Sequence, residues 1–85
     1  MSDRYQVVFH AKGHAETRGL PAAAFESLIQ ALGVVSRDPW ANSTQEDLKG
    51  DPERRWAAFG DYGMVHLYIN EVNLTVIVHG VVWTN

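Results

Sequence analysis

The sequence predicts an α+β fold: an antiparallel β-sheet of about four strands with N-terminal helices packed on one face, in the order β-α-α-β-β-β. Three observations lead there. Apolar residues recur with helical spacing between Phe25 and Val35. Three β-prone runs joined by short turn strings fill residues 54–83. Within the run Met64–Ile69, aliphatic side chains alternate with polar and aromatic ones, as in a strand buried on one face only.

Taken in order, Tyr5–His10 is a short β-prone run in which Tyr5, Val7 and Phe9 share a face. Residues 11–18 are polar and include Gly13, so they allow at best a short, frayed helix. Pro21 then opens a longer helix, because the first turn tolerates its missing N–H. Phe25, Leu28, Ile29, Leu32 and Val35 form the stripe expected to face the sheet. Asp38-Pro39 ends this helix, since the residue before a proline is biased away from helical geometry.

Residues 40–53 read as a turn-rich loop. Strands follow at Arg54–Phe59, Met64–Ile69 and Leu74–Trp83, separated by Gly60-Asp61-Tyr62-Gly63 and Asn70–Asn73. Strict alternation places Val65, Leu67 and Ile69 with Leu74, Val76, Val78 and Val82 on the helix side. It leaves Met64, His66, Tyr68, His79, Val81 and Trp83 on an open face, which is the candidate site.

An 85-residue chain supports one domain, spanning residues 1–85. With no cysteine, neither disulfides nor thiolate metal sites hold it together. No apolar run is long enough for a membrane span, so a soluble cytoplasmic protein without membrane contact is expected. The net charge is −3, and no Lys or Arg occurs after Arg55. The last three strands therefore lack the cationic stripe of a general nucleic-acid binder.

His66 and His79 suit proton transfer near neutral pH, or else are simply polar residues on a solvated face. Arg54 and Arg55, with Lys49 nearby, are the cations available for a phosphate or an acidic partner; Asp51 and Glu53 offer them ordinary surface ion pairs instead. Tyr68, Trp56 and Trp83 suit a protein interface better than base stacking on a sheet this poor in charge. His10 and His14 have i, i+4 spacing but no evident third ligand, so no metal and no cofactor is expected.

Several strings together resemble the RelE/ParE superfamily of toxins. They are the strand Tyr5–Phe9, Leu20-Pro21, Asp38-Pro39, Leu48-Lys49-Gly50, Arg54-Arg55, Gly60-Asp61-Tyr62 and Val81-Val82-Trp83. The resemblance spans nearly the whole chain and implies a RelE-like fold and a cognate antitoxin that wraps the toxin. It also implies action on ribosome-bound mRNA or on DNA gyrase. On that resemblance His79, His66, Arg55 and Tyr68 are the candidate catalytic residues, and Lys49, Arg54 and Trp83 the candidate partner or RNA contacts. The family's arginines fall at positions held here by Ala58 and Gly63, and its terminal basic residues at Val81 and Val82. A non-catalytic interaction domain on the same scaffold is the alternative, and the exposed edge of such a sheet could take a partner's strand or a second copy of the chain.

Overall fold

The longest β-prone run becomes an interior strand of the sheet. The computed structural model describes residues 4–41, 44–46, 51 and 53–84. In chain order these form β1 (Gln6–Phe9), α1 (Ala11–Glu16) running into a 3-10 turn (Thr17–Gly19), α2 (Ala22–Arg37), β2 (Gln45–Glu46), β3 (Arg54–Phe59), β4 (Gly63–Asn70) and β5 (Thr75–Trp83). The strand order is β1-β5-β4-β3-β2, so β5 has a neighbour on each side. Strands placed this way lose polar positions, which explains the near-continuous aliphatic string from Val76 to Val82.

The α+β class and the order of helices and long strands agree with the sequence reading. The sheet is mixed rather than wholly antiparallel: β1 lies parallel to β5, with Val7 beside Val76 and Phe9 beside Val78. A parallel neighbour needs a long connection, and everything between β1 and β5 supplies one. A two-residue strand, β2, also appears in the stretch read as loop, paired antiparallel to Arg55 and Trp56 of β3.

The polar segment after β1 forms α1, and its reason is the edge of β5. Beyond Val78, among the described residues, that edge has no strand beside it, and α1 takes the place. The backbone N–H of His10 donates to the Val78 carbonyl at 3.0 Å. Gly13 then lies against the same carbonyl so closely that a Cβ at this position would collide with it. A glycine inside a short helix disfavours it locally, and here close packing compensates.

In α2, Leu28, Leu32 and Val35 are buried as expected, but Phe25 and Ile29 are 41% and 47% exposed. The helix is rotated so that Ala24, Leu28, Leu32 and Val35 face the sheet. Ala24 permits a close approach that the bulkier Phe25 does not. The helix begins with Phe25 N–H donating to Pro21 O at 2.9 Å and ends at Arg37, just before Asp38-Pro39. Among the described residues, no helix is long and apolar enough to cross a membrane.

Val65, Leu67 and Ile69 of β4 are buried on the α2 side, with Val76 and Val78 of β5 and Ala57 and Phe59 of β3. After Val78 the alternation of β5 changes phase. His66 of β4 pairs with Gly80 while Leu67 pairs with Val78, so His79 is an extra residue in the ladder. This is a β-bulge, and it inverts every side chain that follows. Val81 turns into the core at 6% exposure, and Val82 turns outward at 47%, the reverse of strict alternation. Trp83 likewise packs against the core cluster rather than joining the open face. Leu74, read as the first residue of this strand, instead lies in the preceding turn with φ +53.

Gly63 opens β4 opposite Phe59, and the Phe59 ring occupies the space a Cβ would need. An alanine there overpacks the site, and Gly63→Ala is expected to lower stability by about 1–3 kcal/mol. A shift of the denaturant midpoint to lower concentration checks this; an unchanged midpoint contradicts the ring packing.

Candidate functional site

His79, the extra residue of the bulge, stands at the middle of the site. Its imidazole stacks on that of His10, with ring centroids 5.1 Å apart and planes within 20°. Tyr68 meets His79 edge-on at 6.0 Å. His10 caps α1: its Nδ1 accepts the Lys12 N–H at 3.3 Å. The bulge itself is held by Glu16, whose carboxylate accepts the Val81 N–H at 2.8 Å.

Around the stacked pair lies a cavity of about 220 Å³ lined by His10, Lys12, Arg54, Arg55, His66 and His79. Every ionisable side chain in that lining is a cation or an imidazole. Burial is the main influence on His79 and lowers its pKa, and the charges of His10, Arg54 and Lys12 lower it further. His79 is therefore held neutral beside fixed positive charge, a state suited to accepting a proton.

The remaining candidates separate. Arg54 pairs with Asp51 at 3.5 Å on the surface and borders the cavity. Arg55 is committed elsewhere: Nε donates to Thr44 Oγ1 at 2.5 Å, Nη2 to Thr44 O at 3.2 Å, and the guanidinium lies 5.3 Å from the Trp40 ring centroid. Tyr68 donates its hydroxyl to Glu53 at 2.7 Å, and that bond, then the Glu53 charge, raise its pKa above the ordinary phenol value. Tyr68 is thus a donor rather than a base. His66 packs against Trp56 on the open face. Trp83 is directed to the core, and Lys49 lies outside the described residues.

The structure adds Lys12, which sequence reasoning passed over, and gives His10 a role other than metal binding. Its spacing partner His14 goes to a different neighbour, edge-on to Phe9 at 6.4 Å. The hint in the sequence was His79-Gly80 inside an otherwise aliphatic strand, because glycine in a strand marks a bulge.

Solved structures match this architecture closely. A chain of the toxin–antitoxin complex RelBE2 from Mycobacterium tuberculosis superposes with a TM-score of 0.83 at 20% identity, over 95% of this chain and 99% of that one. The isolated RelE toxin of Escherichia coli gives 0.82 at 20% identity, over 95% and 85%. The archaeal RelE–RelB complex from Pyrococcus horikoshii gives 0.74 at 18%, over 98% and 96%. The fold is that of the RelE toxins. No protein-family model and no curated protein matches the sequence.

Within this RelE fold the departures from the family pattern become physical. Ala58, Met64 and Val82 form one cross-strand row on the open face, so that end of the sheet is apolar where the resemblance implies cations. Gly63 and Val81 are directed inward, against Phe59 and into the core. The positive charge of the open face is instead gathered beyond the bulge, around His10, Lys12, Arg54 and His79.

Two outcomes follow from this geometry. Removing the Glu16 carboxylate leaves the Val81 N–H without its acceptor, so Glu16→Ala should cost about 1–3 kcal/mol. Faster amide exchange at Val81 is the direct readout, and unchanged exchange there would contradict the bond. Because folding lowers the pKa of His79, the unfolded chain binds more protons below the ordinary imidazole value of about 6.5. That stability is intact above this value and declines as pH falls towards the folded-state pKa. His79→Gln should therefore lose less stability than the parent between about pH 7 and about pH 5 in matched denaturation series.

Proposed function

We propose that this chain is the toxin component of a type II toxin–antitoxin pair, restrained by a cognate antitoxin and acting on translation by cleaving mRNA. The observation that carries the reading is the open-face cavity, in a chain that follows the RelE fold over 95% of its length. Cleaving RNA by its own 2′-hydroxyl needs a group to take that proton and positive charge near the phosphate. His79, neutral and beside His10, fits the first need; Lys12 and Arg54 fit the second. His66 is close enough to contribute to the same cavity. Inhibition of gyrase is the other action open to this superfamily, and it makes no use of paired imidazoles.

The antitoxin reading is supported by the RelBE complexes among the structural neighbours. This chain also offers a place for such a partner. Among the described residues, the outer edge of β3 is paired with β2 at Arg55 and Trp56 only. Beside Ala57 and Ala58 a cavity of about 320 Å³ opens, lined also by Ala31, Val34, Trp56 and Met64. An extended apolar segment could join the sheet there.

A second reading, a non-catalytic interaction domain, is favoured by the apolar row Ala58–Met64–Val82. Expression of the chain alone separates the two. Growth arrest relieved by a co-expressed antitoxin, with new mRNA 5′ ends at ribosome-occupied codons, is the expected result. His79→Gln should lower cleavage by roughly 10²-fold or more, as for loss of a general base. Normal growth with intact, folded protein would favour the interaction domain, and arrest without mRNA cleavage would favour gyrase.

A further inference from the structure

We infer that the cavity between α1 and the bulge of β5 is a binding site for a tetrahedral oxyanion of the phosphate class, and that occupancy by a dianion drives a proton onto His79. The inference rests on the proposed function only in placing an RNA phosphate there; that diester carries a single charge, which Lys12 and Arg54 already outweigh, so it leaves His79 neutral, and the site itself follows from the residues on the cavity wall.

His79 is surrounded by groups from each neighbouring element. From the β1–α1 junction come His10, stacked at 5.1 Å, and Lys12. From β3 come Arg54 and the bordering Arg55, and from β4 come His66 and the edge of Tyr68. Among the described residues, the nearby carboxylates are engaged: Glu53 accepts from Tyr68, Glu16 accepts from the Val81 amide, and Asp51 pairs with Arg54. That last pair is exposed on both sides and worth little, so a better-placed anion can displace Asp51.

An empty cavity keeps His79 neutral, because protonation would set a further positive charge beside those of Lys12 and Arg54. A dianion reverses the sign of that interaction. His79 then gains a proton and becomes a charge-assisted donor. His10 stacks on His79 and lines the same cavity. The site thus combines two fixed cations with one proton-coupled donor. A row of arginines would bind the same anion without any dependence on pH in this range.

Sulfate is the appropriate first probe, since its charge stays constant across the imidazole range. Titrated into the whole chain at constant ionic strength, sulfate should bind more tightly as pH falls from about 8 to about 6, approaching tenfold per unit at the steepest. Below the empty-site pKa of His79 the dependence should level off. The His79 ring-proton resonance should report a pKa that rises when sulfate is present, a measurement requiring no variant. His79→Gln, verified as folded by its amide spectrum, should retain weak binding and lose the pH dependence. Lys12→Ala and Arg54→Ala should weaken binding and keep it.

Absence of sulfate binding at about pH 6, binding indifferent to pH, or a pH slope that survives in His79→Gln would overturn the inference. Inorganic phosphate and a nucleoside 3′-monophosphate then distinguish a free oxyanion from a nucleic-acid phosphate: tighter binding of the nucleotide indicates the latter, and either ranking supports the site. Sulfate binding with no mRNA cleavage would leave the site standing and remove the toxin chemistry. Cleavage with no oxyanion binding would do the reverse.

Discussion

One extra residue in an interior strand sets the arrangement of everything around it. The bulge at His79 shifts β5 by half a period, and the bond from the Val81 N–H to Glu16 secures the shift from the neighbouring helix. Without it, Val81 would face solvent, Val82 would enter the core and Trp83 would lie on the open face. Its position also matters for α1, which borders β5 where β1 ends and carries both Glu16 and Lys12. Core composition, helix placement and the position of the imidazole pair therefore depend on a single local departure from regular pairing.

A second set of contacts fixes the opposite end of the sheet. Glu71, in the turn between β4 and β5, accepts hydrogen bonds from the Tyr5 hydroxyl at 3.0 Å and the Trp40 indole at 2.9 Å. Arg55 stacks over the same Trp40 and donates to Thr44. The turn, the start of β1 and the loop after α2 are tied together through these few side chains. Arg55 thus braces the frame, and the cationic charge beside His79 comes from Lys12 and Arg54.

Much of the fold was legible in the sequence because its signals are local. The stripe Leu28–Leu32–Val35, the Asp38-Pro39 stop and the alternation of β4 each act within a few residues, and each appears as read. The errors share a cause: they depend on what lies next to a segment in space. Phe25 and Ile29 turn outward because Ala24 allows closer packing against the sheet. The faces of Val81, Val82 and Trp83 followed from an alternation that Gly80 should have called into question. For the site, His79, His66, Arg54 and Tyr68 were recognised as residues of interest, yet His10 and Lys12 come from the far end of the chain, and no spacing rule joins position 10 to position 79.

The contact between Phe59 and Gly63 has a consequence for substitution as well as for packing. Phe59 fills the volume above Gly63, so an arginine at that position would have to evict the ring before it could reach a ligand. A smaller residue at 59 would in turn open a void in the core cluster unless position 63 changed with it. A long side chain at 63 therefore requires two coordinated substitutions, each harmful alone. The core itself closes this corner of the sheet, and charge for the open face has to be supplied from other positions.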